Sequence, residues 1–203
     1  MLEFHNVEVY GLEQAVSSCR YAMMTEMPDY SSDATKSELF RKGLERAKKL
    51  VAANNNTDGV HCHANFRTGI SVHFDMKYSQ YITKQLQRYH WLQYVSSSSM
   101  MHKITKMDFS KCCNKYVLDE VKYMMRNLVA DYNEAPTYEK YMTIISNCPM
   151  GAELFVHVNT NYEQLHTMYC QRKHHKLQED YKAFTDMVEA LPYAKELIIG
   201  EEQ

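Results

Sequence analysis

The chain has 203 residues, of which 45% are hydrophobic and 24% are charged, with 23 basic and 25 acidic side chains. This composition excludes extensive disorder, and a formal net charge of −2 gives no bulk attraction to nucleic acid polymers or anionic lipid. No apolar run approaches the ~20 residues of a membrane-spanning helix. The length predicts a single domain over residues 1–203.

The first half of the chain alternates predicted strands and helices. Residues 2–9 end in an alternating pattern that predicts a strand, and helical spacing follows at 12–24 and 35–53. Alternation returns at 69–78 and predicts a second strand. Helical spacing then runs from 79 to 91, and the four serines after it predict a loop.

The second half is richer in helix. Helices are predicted at 117–131, 137–147, 161–175 and 177–191, with a strand at 153–158 whose two faces are both expected to be covered. Six glycines and four prolines are few for this length, which also favours regular elements over turns. The pattern predicts an α+β fold with more helix than sheet.

The histidines and cysteines do not predict a metal site. His61, Cys62 and His63 are adjacent, and adjacent side chains on an extended chain point in opposite directions. The six cysteines show no C-x-x-C spacing, and the first residues lack the pattern of a secretory signal. We therefore expect reduced thiols, a cytoplasmic location and no membrane partner.

The most informative segment runs from residue 85 to residue 98. A helix end there would present Gln85, Arg88 and His90 beside a serine-rich loop. Serine hydroxyls and loop amides bind phosphate, and arginine clamps it. The alternative is structural: cationic residues favour a helix C-terminus, and a polar loop follows it. Periodicity alone leaves both interpretations open.

This segment resembles a motif of the flavin-dependent thymidylate synthases. That family carries R-H-R, seven residues and then S, with Q-x-x-R before it. Here Arg88, Tyr89 and His90 are followed by seven residues and Ser98, and Gln85 lies three residues before Arg88. Any one such match is weak, but ordered matches elsewhere strengthen it.

Other pieces of the family pattern follow in order. The family has a proline, a strand, N-x-x-S-L-x-x-x-x-x-L-R and A-Q-x-E-I. At compatible spacing this chain has Pro149, the strand 153–158, Asn161, Leu165, Arg172, Gln178 and Asp180. Upstream, His63 and Asn65 occupy the place of a flavin-contacting segment, and residues 17–23 look like the family's A-A-R-V-S.

The resemblance implies a helix-rich single domain with a central, mostly antiparallel sheet. It implies reductive methylation of dUMP at C5, with FAD as cofactor and methylenetetrahydrofolate and NADPH as co-substrates. It also implies a homotetramer with shared active sites, which the abundant tyrosine and methionine would suit.

The resemblance also assigns roles to residues. Contacts to the flavin cofactor are implied for His63, Asn65, Arg88, Tyr89, His90, Asn161 and Arg172. Contacts to the nucleotide are implied for Gln85, Arg88, Ser98, Ser99 and Arg172. Arg172 would polarise a pyrimidine carbonyl. Ser98 is the second catalytic candidate, although the sequence offers it no partnered base.

Several family positions are changed in this chain. Tyr89 and His90 replace a histidine and an arginine of the motif, and Ser96 replaces a glutamate. Three further arginines are replaced, by Met100, Ile145 and Glu163. Arg67, His102 and Lys103 are candidates to compensate for the lost charge. The changes leave two alternatives open: altered pyrimidine nucleotide chemistry (dCMP or hydroxymethyl transfer), or a non-catalytic nucleotide- or flavin-binding homologue.

Overall fold

The computed structural model describes residues 2–55 and 63–200. The strands in these ranges are β1 (Glu3–Tyr10), β2 (Ser71–Ser79), β3 (Gln93–Ser97) and β4 (Glu153–Asn161). The α-helices are α1 (Leu12–Ser18), α2 (Asp33–Asn55), α3 (Thr83–Leu86), α4 (Met100–Lys103), α5 (Asp119–Glu134), α6 (Tyr138–Asn147), α7 (Tyr162–Arg172) and α8 (Gln178–Glu189). None of the helices described is long and apolar enough to cross a bilayer.

The four strands form one sheet in the order β1-β2-β4-β3, and every neighbouring pair is antiparallel. Strands β2 and β4 pair along their whole length, from Ser71 opposite Asn161 to Ser79 opposite Glu153. The prediction of a helix-rich α+β fold around an antiparallel sheet is confirmed.

One face of the sheet carries the main core. On β2, Val72, Phe74 and Met76 are buried in a cluster that includes side chains of α7 and α8. The side chains between them point to the opposite face, as the period of a strand requires. On β4 that opposite face includes Phe155, which is 59% exposed. The prediction that both faces of this strand are covered is therefore wrong.

Two glycines bring α1 close to its neighbours. A Cβ on Gly43 of α2 would overlap the carbonyl oxygen of Val16 on α1. Gly11 precedes α1 with a φ of 76°, and a Cβ there would overlap the carbonyl oxygen of Gly69. Close packing at these points places α1 beside the short 3-10 segment Asn65–Gly69.

A second, smaller core lies among α4, α5 and α6. Its fully buried side chains are Ile104, Phe109, Met125 and Ile144. We call residues 100–150 the outer helical region, and the rest of the described chain the sheet region. Backbone hydrogen bonds join the two where the outer helical region ends, from Glu153 to Cys112 and from Asn114 to Gly151.

Three predicted elements in the first half of the chain differ from the structure. The helix predicted at 12–24 ends at Ser18, because the chain then leaves the core and Met23 is 69% exposed. The helix predicted to reach 91 ends at Leu86. Two of the four serines predicted to form a loop, Ser96 and Ser97, contribute instead to β3, because the free edge of β4 supplies hydrogen-bond partners that a local pattern does not reveal.

Candidate functional site

The segment after α3 lies along helix α7. At the C-terminal end of α7, Arg172 donates hydrogen bonds from Nε to the Tyr89 hydroxyl (2.6 Å) and from Nη1 to Gln85 Oε1 (3.4 Å). Toward the other end, the backbone N–H of Trp91 donates to Gln164 Oε1 at 3.1 Å. The segment therefore runs antiparallel to α7, and Gln85 and Arg172 meet although the motifs that predicted them are far apart in sequence.

Two tyrosine rings flank the Arg172 guanidinium. Its Cζ atom lies 5.4 Å from the ring centre of Tyr89 and 5.1 Å from that of Tyr181, within the range of cation–π attraction. The Tyr181 hydroxyl donates to Gln85 Oε1 at 2.9 Å, and the Tyr89 hydroxyl donates to Gln171 Oε1 at 3.1 Å. The Tyr89 hydroxyl and the two rings contact the guanidinium directly, and the Tyr181 hydroxyl acts on it through Gln85.

We call Gln85, Tyr89, Arg172 and Tyr181 the Arg172 cluster, and this cluster presents hydrogen-bond donors to a ligand. Within the part of the chain that the structure describes, Arg172 Nη2 has no partner, and Gln85 Oε1 already accepts two bonds. Burial raises the pKa of Tyr181 to about 12, so its hydroxyl remains protonated at neutral pH. The cluster therefore suits a ligand rich in acceptors, such as carbonyl or phosphate oxygens.

Asn161 lies at the opposite end of α7. It is the N-cap residue, and its side-chain Oδ1 accepts a hydrogen bond from the Gln164 backbone N–H at 2.9 Å. The prediction that Asn161 opens this helix is confirmed, whereas the helix ends at Arg172 rather than at 175. Eleven residues of α-helix separate Asn161 from Arg172 by about 16 Å along the axis.

His63 and Asn65 are exposed and line a shallow cavity of about 360 Å³. Ser18 and Cys19 of the α1 end complete one wall. The cavity adjoins the start of α7, because Ile70, which follows the lining segment, accepts a hydrogen bond from the Tyr162 backbone N–H. His61 and Cys62 lie outside the described residues, and the described chain contains no cluster of histidine, cysteine and acidic residues that could hold a metal ion.

Arg88 and His90 lie on the surface between α3 and β3. The Arg88 side chain has no hydrogen bond or ion pair with any residue in the described ranges. His90 packs edge-on against Trp91, which is 44% exposed. In contrast, Tyr89 between them is 8% exposed and points toward α7. The three predicted cofactor residues at 88–90 therefore divide into two exposed side chains and one buried side chain.

Ser98 and Ser99 both take part in local structure. Ser98 extends the pairing with β4, since its N–H donates to the Phe155 carbonyl (2.9 Å) and its Oγ accepts from the Phe155 N–H (3.0 Å). Ser99 caps α4 by accepting from the His102 N–H, and its Oγ lies 2.8 Å from His102 Nδ1. The structure gives neither serine a contact with Arg172.

The positions of the missing family arginines are filled by packing or by an internal ion pair. Met100 and Ile145 pack against the outer helical core. Glu163 pairs with Arg67 at 3.5 Å, and Arg67 is completely buried, with Nε donating to the Leu197 carbonyl at 2.5 Å. Arg67 is thus committed to the fold and does not replace a ligand-binding cation.

Comparison with known proteins finds a likeness in the fold and none in the sequence. No family model matches the chain, and no curated protein matches it in sequence. Among solved structures, flavin-dependent thymidylate synthase ThyX from Helicobacter pylori, complexed with FAD and dUMP, gives a TM-score of 0.65 at 15% identity, covering 96% of this chain and 97% of that one. The chain has the fold of the flavin-dependent thymidylate synthases.

A second solved structure with the ThyX-like fold is that of a nucleotide methylase. The UMP/dUMP methylase PolB from Streptomyces cacaoi, bound with 5-Br dUMP, gives a TM-score of 0.63 at 9% identity, covering 98% of this chain and 94% of that one. The likeness predicted from scattered motifs is therefore confirmed at the level of the fold.

Sequence analysis missed Tyr181 as a member of the site. In the family pattern A-Q-x-E-I, Tyr181 stands at the isoleucine, directly after Asp180. It also continues an apolar stripe on α8 with Phe184 and Val188, so its pattern is that of a core residue. The one signal in the sequence was that Tyr181, which carries a hydroxyl, stands where the family pattern has an apolar isoleucine.

Proposed function

We propose that this chain is a divergent flavin-dependent thymidylate synthase that methylates a pyrimidine nucleotide at C5, with dUMP as substrate. The meeting of Gln85 and Arg172 carries the proposal. The resemblance assigned both positions to the nucleotide from separate motifs, and their side chains meet at 3.4 Å across 87 residues of sequence. An unrelated use of the fold would not require this pair.

The nucleotide chemistry is assigned to the Arg172 cluster. C5 of a pyrimidine becomes nucleophilic when the ring is held as an enolate, whose negative charge is shared between C5 and a ring carbonyl oxygen, and fixed donors stabilise that charge most when they are already in place. Arg172 Nη2 supplies such donors, and Gln85 helps to align them. Ser98 retains its own O–H as a donor, since its Oγ only accepts from Phe155, and we assign that O–H to the nucleotide phosphate. We assign Ser99 to the same phosphate.

FAD is assigned to the surface between the end of α1 and the segment of residues 88–90. The side chains there that offer donors are His63, Asn65, Arg88, His90 and the Asn161 amide. Several exposed donors on one surface fit the diphosphate and the ring acceptors of a flavin dinucleotide. FAD, with methylenetetrahydrofolate as carbon donor and NADPH as electron source, would supply the carbon and hydride chemistry, while the protein binds and orients.

A homotetramer is part of the proposal, because one chain leaves this surface open to solvent. Arg88, His90 and Asn65 are exposed, so a second copy is needed to enclose the cofactor. The outer helical region also exposes large apolar side chains, namely Met101, Tyr116, Leu118, Tyr123, Met124, Tyr138, Met142 and Met150. Such a surface suits subunit contact. Sedimentation should give about four times the 23.9 kDa chain mass, and a monomer at micromolar protein would contradict this part.

Altered substrate choice is the second candidate. The apolar packing of Met100 and Ile145 removes two cations assigned by resemblance to the nucleotide, and each charge-assisted hydrogen bond contributes about 1.5–3 kcal/mol. One protein of the same fold is a UMP/dUMP methylase. Competition among dUMP, UMP and dCMP, with product masses read by mass spectrometry, separates methyl from hydroxymethyl products and identifies the base.

The primary test is flavin binding followed by turnover. Protein purified with FAD should be yellow, release FAD on denaturation, and methylate dUMP when methylenetetrahydrofolate and NADPH are added. Arg88→Ala should lower flavin content, whereas Lys84→Ala, which removes an exposed cation nearby on α3, should not. Protein that stays colourless with excess FAD contradicts the proposal. A protein that binds FAD and dUMP without turnover is a non-catalytic homologue.

A further inference from the structure

The arrangement around Arg172 indicates more than a ligand contact. An arginine side chain has many rotamers, and the entropy lost in holding one of them opposes binding when the ligand has to impose it. In this chain the rotamer is restrained before any ligand arrives. Nε donates to the Tyr89 hydroxyl at 2.6 Å, and the ring centre of Tyr181 lies 5.1 Å from the guanidinium Cζ.

Resting on the proposed function, we propose that Tyr89 and Tyr181 are positioning residues, which clamp Arg172 so that its free Nη2 edge meets the acceptor atoms of the pyrimidine nucleotide. Neither tyrosine needs to touch the nucleotide. On this view Tyr89 does different work from the motif histidine it replaces: its buried hydroxyl orients an arginine.

The hydrogen-bond directions are consistent with a single assembled state. The Tyr89 hydroxyl accepts from Arg172 and donates its proton to Gln171 Oε1 at 3.1 Å. The Tyr181 hydroxyl donates to Gln85 Oε1 at 2.9 Å, which orients the Gln85 amide to accept from Arg172 as well. Each of these donors has one acceptor, so no two arrangements of the hydrogen bonds compete. The donors that remain at Arg172 Nη2 have no partner in the described chain.

The chain supplies a matched control on the same helix. Tyr162 is also buried, and its hydroxyl donates to the Pro192 carbonyl at 2.7 Å, outside the Arg172 cluster. Tyr162→Phe removes a buried tyrosine hydroxyl, as Tyr89→Phe and Tyr181→Phe do, but leaves every contact of Arg172 intact. A general loss of stability would therefore affect the control as well as the clamp variants.

The first measurement needs no ligand. The Arg172 Nε–H signal in a ¹⁵N spectrum is assigned by its loss in Arg172→Lys. The wild-type protein should show a protected, motionally restricted signal, and Tyr89→Phe should release it because the acceptor of Nε–H is gone. Tyr162→Phe should leave it unchanged. A freely exchanging Arg172 signal in the wild-type protein overturns the proposal.

The second measurement is dUMP affinity by calorimetry. Tyr89→Phe should weaken dUMP binding by about tenfold, as expected for loss of one hydrogen bond to a charged group. Tyr181→Phe removes a hydrogen bond to the neutral amide of Gln85, so it should also weaken dUMP binding, but by less. Tyr162→Phe should bind dUMP as the wild-type protein does. If Tyr89→Phe frees the Arg172 signal and dUMP affinity does not change, the clamp positions nothing and the proposal is overturned.

Failure of the proposed function gives a different result. The wild-type protein would then bind neither FAD nor dUMP, whatever the Arg172 signal shows, and the positioning role would fall with the ligand.

Tyr89→His, which restores the motif residue, adds a rescue test. An imidazole nitrogen that accepts from Arg172 should recover part of the affinity lost in Tyr89→Phe. If Tyr89→His recovers no affinity and its Arg172 signal is as free as in Tyr89→Phe, the imidazole does not hold Arg172, and Tyr181→Phe decides. Lower dUMP affinity in Tyr181→Phe then supports the clamp, and unchanged dUMP affinity in Tyr181→Phe overturns the proposal.

Discussion

The sheet region and the outer helical region differ in the residues that occupy the positions of the family motifs. In the sheet region, Gln85, Asn161 and Arg172 remain polar, and each has a structural contact as well: Asn161 caps α7, and the other two join the tyrosine cluster. In the outer helical region, Met100 and Ile145 stand where arginines would, and they pack in the small core. Gln85, Asn161 and Arg172 thus combine a proposed ligand role with a role in the fold, whereas Met100 and Ile145 serve only the core of the outer helical region.

The largest expected effect on stability comes from removing a buried arginine of the sheet region, compared with removing an exposed arginine of the same region. Arg67→Ala removes a buried cation that bonds the Leu197 carbonyl and leaves Glu163 without its partner. We expect a loss of about 3–5 kcal/mol in the free energy of unfolding. Urea denaturation measures it. Arg88→Ala is the control and should change stability by less than about 0.5 kcal/mol; equal losses would mean that Arg88 is structural too.

The outer helical region should be the less stable of the two, because its core has four fully buried side chains in the described chain. Ile144→Ala should lower stability by about 2–5 kcal/mol through a cavity in that core. Amide hydrogen exchange should show α5 and α6 opening before β2 and β4 in the wild-type protein, and this variant should widen the gap. Simultaneous exchange of both regions would show that they form one cooperative unit.

Restoring a cation tests whether the outer helical region has lost a nucleotide contact. Met100→Arg should strengthen dUMP binding by about tenfold, the equivalent of one charge-assisted hydrogen bond. Met101→Arg is the matched control, since Met101 is exposed and the variant adds the same charge one residue away. Calorimetry compares the two. The same gain in both variants would indicate a general electrostatic effect and no specific site at Met100.

The smallest expected effect is a change in alkaline stability. Burial raises the pKa of Tyr181 from 10.0 to about 12, so the unfolded state loses its proton first as pH rises. The contribution of Tyr181 is fully present below pH 10 and declines between about pH 10 and 12. Tyr181→Phe should therefore flatten the fall in stability over that window. Thermal unfolding from pH 8 to 11 reads it, and an unchanged slope would show that Tyr181 ionises freely.

The sequence predicted most of the fold, because the main helices and strands bury one face and carry the matching period. It did not predict β3, because serines 96 and 97 have a loop composition and their pairing depends on the edge of β4, far along the chain. It also extended α3 to residue 91, although the chain there turns to follow α7. These errors share one cause: tertiary contacts override local preference.

The candidate site was predicted in part. Ordered motifs identified Gln85 and Arg172, whose contact no periodicity indicates. The burial of Arg67 was not predicted, because an arginine in a polar segment looks exposed until its carbonyl partners at Leu197 and Ile198 are known. Tyr181 was missed for the opposite reason, since its spacing is that of an apolar core residue.

The central claim is that Arg172 binds the pyrimidine nucleotide through its planar guanidinium. The most direct measurement is calorimetric titration of dUMP into wild-type protein and Arg172→Lys, with Lys173→Ala as the control for charge at an exposed neighbour. Lysine keeps the charge but loses the flat, two-point donor, so we predict at least about tenfold weaker binding in Arg172→Lys with folding intact. Equal dUMP affinity in wild type and Arg172→Lys would contradict the account.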